Sequence, residues 1–292
     1  MFKGSIVALI TPFKDGKVDE AGLRKLVNWH VKEGTHGIVP CGTTGESPTL
    51  SHDEHKRVTE VVVEQVAKRV PVIAGCGSNN TAEAIDLTRH ARKVGADATL
   101  HVAGYYNKPT QEGLYQHFKA INDAVDIPIV VYNIPPRAVV DIQVETMARI
   151  AALEHVVGVK DATADLTRPS KERLAIKGKA WIQLSGEDGT ALAYMAHGGH
   201  GCISVTANVA PRLCAEFQQA CLAGDFRKAL DYQDRLMPLH VNLFAETSPA
   251  PVKFAAGVLG LCGDEVRLPL VKPGPATQAK VKDALRHAGL IN

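Results

Sequence analysis

Nowhere in its 292 residues does the chain hold an apolar stretch near the roughly 18 residues that a helix needs to cross a bilayer. Nothing in it therefore reads as a membrane span. The opening MFKGSIVALITPF has one lysine and a short apolar run, but no small-residue cleavage site follows, and TPF reads as a strand ending. A mature, cytoplasmic N-terminus is expected. Also missing is any basic run interleaved with aromatics. The 33 Lys and Arg against 31 Asp and Glu leave a formal net charge of +2, spread along the chain. Nucleic acid is thus a poor candidate partner. The six cysteines (Cys41, Cys76, Cys202, Cys214, Cys221 and Cys262) show no CxxC pair and no metal-ligand spacing. Several lie in apolar runs, where a free thiol acts as a small hydrophobe, so neither structural disulfides nor a metal site is expected.

What the chain has is enough apolar residue, 45%, for a large core. Short β-branched runs alternate with amphipathic segments. The runs are SIVALI (5–10), HGIVPCG (36–42), PVIAGCG (71–77), ATLHVAG (98–104), PIVVYNI (128–134), VVGVKDA (156–162), WIQLSG (181–186) and GCISVTA (201–207). They are apolar almost throughout instead of alternating, as parallel strands covered on both faces should be. Helical segments are expected at 19–33, 51–69, 81–94 and 111–125. Ser51 with Glu54 and Asn80 with Glu83 have capping-box spacing, and Gly34 and Gly95 stand where helices should stop.

Eight strands with eight crossovers predict an α/β fold of the (β/α)₈ TIM-barrel class. A doubly wound open sheet is the competitor, weakened because no GxGxxG follows the first run. The expected division is residues 1–207 for the barrel strands and helices. Residues 208–292 would be the last barrel helix and a C-terminal helical extension joined without a linker, reading as helical throughout, from PRLCAEFQQACLAGD through segments near 225–245, 249–260 and 275–288.

Chemistry in such a barrel gathers at the C-terminal strand ends. Those ends read CGTTGES (41–47), GYYNKP (104–109), VYNIPPR (131–137), VKDAT (159–163) and SGED (185–188), with the eighth running through Ile203 to TAN. Lys160 falls inside the sixth strand. Desolvation there would push an ammonium toward a nucleophilic amine, the chemistry of Schiff-base formation with a carbonyl substrate. The alternative is a structural lysine paired with Asp161, which should face the other way, or with Glu187. Tyr132 takes the corresponding place on the adjacent strand, about 4.8 Å away, within reach of the amine or its adduct. Thr43 and Thr44 lie in a Gly-bracketed turn whose N–H groups suit a carboxylate and whose hydroxyls suit proton transfer. Alternatively, GTTG is only a tight turn. Arg137 follows two prolines on a rigid loop, placed to grip a second carboxylate or to be a solvated charge.

Taken in order, GSIVALITPF, HGIVPCGTTGESPTLSHDEH, GYYNKPTQEGLYQHF, VVYNIPPR, GVKDAT, GGHGCISVTAN and ALRHAGL resemble the dihydrodipicolinate synthase branch of the pyruvate-dependent class I aldolases. That family of barrels also contains N-acetylneuraminate lyase, and the likeness spans nearly the whole chain. It implies a Schiff base between Lys160 and pyruvate, and condensation with L-aspartate 4-semialdehyde in lysine (diaminopimelate) biosynthesis, with no cofactor. By the same resemblance Tyr132, Thr44 and Tyr106 form a hydroxyl relay. Tyr106 reaches into a neighbouring subunit's site, within a homotetramer built as a dimer of dimers. Thr43 and Thr44 hold the pyruvate carboxylate, Gly186 and Ile203 line the pocket, and Arg137 takes the carboxylate of the semialdehyde.

Ser47, Pro48, His52, His55, Asn79, Glu83 and Tyr105 resemble a family site for L-lysine as feedback inhibitor. Against that, Glu83 fits a cap and the two histidines fit a solvated first helical turn. A sibling lyase using the same lysine and tyrosine is the runner-up activity. The Thr43-Thr44 pair and Arg137 favour the synthase. A non-catalytic barrel would have no use for Lys160, Tyr132, Thr44 and Tyr106 together.

Overall fold

In the computed structural model, which describes residues 2–292, the eight apolar runs fold as eight strands. They are β1 (Gly4–Ala8), β2 (Gly37–Val39), β3 (Ile73–Gly75), β4 (Ala98–Val102), β5 (Ile129–Asn133), β6 (Val156–Asp161), β7 (Ile182–Ser185) and β8 (Gly201–Ser204). The sheet runs β2-β1-β8-β7-β6-β5-β4-β3 with parallel pairing, and a parallel bridge from Ile38 to Val72, just before β3, joins its two ends. With helices between the strands this is a (β/α)₈ TIM barrel.

The near-continuous apolar character follows from two buried faces. Ile6, Ala8, Val39, Leu100, Val130, Leu184 and Ile203 fill the barrel interior. Ile129, Val131, Val156 and Val159 turn outward onto Leu114, Phe118, Ile121, Met147 and Ile150 of the surrounding helices. Each such Val, Leu, Ile, Phe or Met side chain contributes about 1.5–3 kcal/mol by leaving water.

The helices Glu20–Lys32, His52–Val66, Thr81–Val94 and Gln111–Ala124 stand where the amphipathic pattern places them. Ser51 closes a capping box: its hydroxyl accepts from the Glu54 N–H at 3.2 Å and the Glu54 carboxylate accepts from the Ser51 N–H at 2.9 Å. Asn80 caps its helix by accepting from the Ala82 N–H, but Glu83 does not complete a box. Its carboxylate turns instead to the His52 ring, 2.7 Å away on the neighbouring helix, and to the Ser78 hydroxyl.

Two further departures are local. Phe13–Lys14 and Lys17–Val18 form a small antiparallel hairpin that the pattern had not marked. After β8 the TAN segment is a 3₁₀ turn, Thr206–Asn208, and not strand. Helices Pro211–Leu222, Phe226–Asn242, Ala250–Val258 and Pro275–His287 follow, at the segments expected from PRLCAEFQQACLAGD and near 225–245, 249–260 and 275–288, with residues 259–274 irregular between the last two. Gly260, Gly263, Pro269, Pro273 and Gly274 interrupt that stretch. Leu213, Phe217, Leu236, Leu239 and Leu285 of the C-terminal helices share one core with Val7 and Leu9 of the first strand region. Among the described residues no helix is long and apolar enough to cross a membrane. All six cysteines are free, five of them buried.

Candidate active site

Register decides which side chains meet. Lys160 on β6 lies opposite Tyr132 on β5 and Leu184 on β7. Because a strand alternates, Val159 joins the outer core while Lys160 points into the barrel mouth, only 7% exposed. Its ammonium stands over the Tyr132 ring, 4.1 Å from the centroid, an attractive cation–π placement. Neither candidate carboxylate pairs with it. Asp161 faces outward, accepting from the Thr163 N–H at 2.8 Å with its other oxygen 3.8 Å from the Arg168 guanidinium. Glu187 accepts from the Gly189 N–H at 3.2 Å. Burial pushes the Asp161 and Glu187 carboxyls above their ordinary range; for Glu187 the Gly189 N–H and the Lys160 charge pull part of the way back.

Above Lys160 opens a cavity of about 220 Å³, lined by Thr43, Thr44, Tyr132, Arg137, Lys160, Gly186, Glu187, Phe244 and Ser248, with Ala8, Val39, Leu100 and Ala162 among its apolar walls. Gly186 is there for space. A Cβ on it would lie 3.0 Å from Cε and 3.1 Å from Cγ of Lys160, so any side chain would displace the lysine stem. The loop after β2 carries Thr43 and Thr44 between two left-handed residues, Cys41 (φ +54) and Glu46 (φ +56). Such conformations cost on the order of 1–3 kcal/mol each and persist only where surroundings hold them. Here the Thr11 hydroxyl donates to the Gly45 carbonyl at 2.7 Å, and the Glu46 side chain is anchored as described below. Arg137 sits not on a loop but in a one-turn helix, Pro135–Ala138. Two prolines at its start supply the fixed φ that the first turn needs.

A second cavity, of about 230 Å³, adjoins the first and shares Ser47 and Gly77 with it. Pro48, Leu50, His52, His55, Glu83, Leu87 and Tyr105 complete its lining. His55 is no solvated helix-end residue. Its ring is buried and bonded to the Gly75 carbonyl at 2.7 Å, and burial lowers its pKa, favouring the neutral imidazole. Asn79 stands outside the lining, its side-chain amide donating to the Tyr105 carbonyl at 3.3 Å.

With this geometry in view, comparison with known proteins is decisive. The model of the Dihydrodipicolinate synthetase family matches residues 1–288. The chain belongs to that family. It is 67% identical over 292 residues, all of both chains, to the 4-hydroxy-tetrahydrodipicolinate synthase of Parvibaculum lavamentivorans. Among solved structures it resembles the chloride-inhibited dihydrodipicolinate synthase of Acinetobacter baumannii complexed with pyruvate, with TM-score 0.97, 46% identity and full coverage of both chains. It also resembles the DHDPS of Cyanidioschyzon merolae with lysine bound, with TM-score 0.95, 35% identity and 99% of each chain covered.

Of the catalytic and substrate-binding residues that the family resemblance singled out, Lys160, Tyr132, Thr43, Thr44, Arg137 and Gly186 come together around one cavity. Two do not. Ile203 is 1% exposed and packs in the barrel core below; Val205, two residues on, lines the cavity instead because β8 ends at Ser204. Tyr106 is 89% exposed, in a left-handed conformation (φ +68), and lines neither cavity.

Sequence reasoning missed Phe244 and Ser248, which approach from beyond the barrel, where no local signal marks them. It also missed Asp188. That buried carboxylate accepts from the Val205 N–H at 2.8 Å and the Thr206 N–H at 3.2 Å, fixing the end of β8. The SGED strand end was its only trace.

Proposed function

We propose that the chain condenses pyruvate with L-aspartate 4-semialdehyde to 4-hydroxy-tetrahydrodipicolinate, the step that commits these compounds to lysine (diaminopimelate) biosynthesis. The single observation that carries the reading is Lys160: a largely buried amine without a carboxylate partner, opening on a cavity whose walls supply hydroxyls and one guanidinium. The naming of relatives up to 67% identical over the full chain favours this activity over a sibling lyase.

Attack of the Lys160 amine on the pyruvate carbonyl expels water and leaves an imine. Its cationic nitrogen accepts the electrons released when a methyl proton departs, and the resulting enamine attacks the aldehyde carbon. The new alkoxide takes a proton, and the amine of the semialdehyde displaces Lys160 as the ring closes. Thr44 and Tyr132 flank the adduct and move these protons. Thr43 and Thr44 receive the pyruvate carboxylate, and Arg137 at the lip receives that of the semialdehyde. Tyr106 completes the relay in a neighbouring subunit of a homotetramer. Its ring, 89% exposed and lining neither cavity of its own chain, supports that reading. A monomer in sedimentation at working concentration would argue against it. The free cysteines, five of the six buried, suit a reducing cytoplasm.

The second cavity is read as a site for L-lysine acting as inhibitor. A carboxylate (Glu83) beside imidazoles and a tyrosine suits a zwitterionic amino acid, and a relative has been solved with lysine bound.

The test is pyruvate consumption with and without the semialdehyde in metal-free buffer, with Lys160→Ala as the blank. Consumption that needs the semialdehyde and vanishes in the variant is expected, a loss of about 10³-fold or more. Pyruvate trapped by borohydride on Lys160 in a protein indifferent to the semialdehyde would move the activity to a sibling aldolase. Millimolar L-lysine in the same assay should slow turnover; unchanged rates at every pyruvate level would refute the inhibitor site.

A further inference from the structure

We infer that Glu46 is a positioning residue: its carboxylate, held on the buried ammonium of Lys253, sets the loop that presents Thr43 and Thr44 to the Lys160 cavity. The inference rests on the reading of that cavity as the pyruvate site. Glu46 and Lys253 are 207 residues apart, their side chains are both 0% exposed, and they meet at 2.6 Å. The second Glu46 oxygen accepts from the Arg267 N–H at 3.1 Å. Lys253 and Arg267 both stack on the Phe13 ring, 4.1 and 4.3 Å from its centroid. Arg267 continues the clamp, donating to both Glu54 oxygens at 2.7 Å and to the carbonyls of Thr49 at 2.9 Å and Gly16 at 2.8 Å.

The clamp grips the loop where the backbone resists. Glu46 stands two residues after Thr44 in a left-handed conformation, which a glutamate does not hold unaided. Within the loop the hydrogen bonds are short-range turns, Gly45 N–H to the Gly42 carbonyl at 3.0 Å and Glu46 N–H to that of Thr43 at 3.1 Å. Those turns shape the loop without tying it to other elements; the Thr11 hydroxyl on the Gly45 carbonyl is one such tie and the Glu46 carboxylate a second. The Glu46 carboxylate ties it to the helix Ala250–Val258 and to the irregular segment after it. A fully buried ion pair is a poor source of stability, since well-packed apolar residues would serve as well. Two desolvated charges do, however, define one position sharply. Ser248, which lines the cavity, lies five residues before Lys253, so the same anchor serves both walls.

The experiment is borohydride trapping of pyruvate on Lys160 across pyruvate concentrations, for the wild type, Glu46→Gln, Lys253→Met and the double variant, with the melting temperature of each. Each single variant should melt lower, because one charge or its buried partner is left uncompensated, and the double variant should recover much of that loss. Half-maximal trapping should need roughly ten- to a hundred-fold more pyruvate in Glu46→Gln and, despite its recovered melting temperature, in the double variant. If stability and pyruvate demand recover together, or if either variant traps at wild-type concentrations, Glu46 is structural and the inference is overturned. Should Glu46→Gln fail to fold, the double variant decides alone. A wild type that traps no pyruvate would sink the Lys160 reading first and this inference with it.

Discussion

Two lysines of this chain are buried under aromatic rings, and they have opposite uses. Lys160 in VVGVKDAT and Lys253 in APVKFAAG each interrupt an apolar run, and each ammonium stands 4.1 Å from a ring centroid, of Tyr132 and Phe13 respectively. Around Lys253 the space is filled: Glu46 meets it at 2.6 Å and neither side chain touches solvent. Burial lowers the pKa of that amine while the Glu46 charge draws it back up. Around Lys160 there is no carboxylate partner, and a cavity of about 220 Å³ lies before the amine. A ring alone shelters the nitrogen without filling the space before it, so a carbonyl can approach. A carboxylate at contact distance holds the proton on the nitrogen and occupies that space. The pairing, not the burial, separates the structural lysine from the candidate nucleophile.

Exchanging each lysine for methionine should therefore break the molecule in different ways. Lys253→Met strands the Glu46 carboxylate in a dry site, and denaturant unfolding should show a loss of about 3–5 kcal/mol. Lys160→Met removes an ammonium that no carboxylate balances, so stability should change by less than about 1.5 kcal/mol while turnover is abolished. The reverse pattern would mean that the two roles have been assigned backwards. A smaller effect sharpens the Lys160 side. Gly186→Ala puts a Cβ within 3.0 Å of the lysine stem. The displaced amine should lose about 10²-fold in trapping rate with pyruvate, for a stability cost of about 1–3 kcal/mol. An unchanged trapping rate would show that the stem has room to move without consequence.

The two lysines also mark where sequence reasoning reached and where it stopped. The barrel was legible because eight apolar runs separated by capped amphipathic helices leave few other packings. Lys160 was legible because it falls at a strand end, where such barrels keep their chemistry, one strand from Tyr132. Lys253 carries the same local signal, a charge inside an apolar run, but lies on a helix beyond the eighth strand, and its partner is 207 residues away. No local pattern announces a contact of that length. Glu46 was quoted within GTTGES and passed over for the threonines beside it, since nothing in the letters reveals a left-handed glutamate pointing inward. Glu83 erred in the other direction: its capping-box spacing was real, but His52 on the adjacent helix competes for the carboxylate. The irregular residues 259–274, between two expected helices, deliver Arg267 to the clamp, and no pattern in them marks that contact.

The subtlest way to sharpen the comparison is by acid, because a carboxyl near each lysine titrates with opposite sign. On the Lys253 side, the Arg267 guanidinium holds the Glu54 carboxyl down to about 2 from an ordinary value near 4.5. Its charged form is favoured by folding, so its contribution is present above pH 4.5 and is lost as pH falls through about 2. Arg267→Ala deletes that contribution, and the stability gap between wild type and variant should close as the pH falls across this window. On the Lys160 side, burial holds the Glu187 carboxyl above its ordinary value. Its charged form is disfavoured by folding, so the favourable contribution exists below the unfolded value and disappears as pH rises through the folded one. Glu187→Gln should accordingly gain on the wild type as pH climbs through the carboxylate range. Both gaps should be small because both groups keep some contact with water, and each is read from unfolding free energies measured at fixed ionic strength. Gaps that move in the same direction would mean that the Lys160 charge outweighs burial at Glu187 as Arg267 does at Glu54, and the contrast between a filled and an unfilled lysine site would then fail.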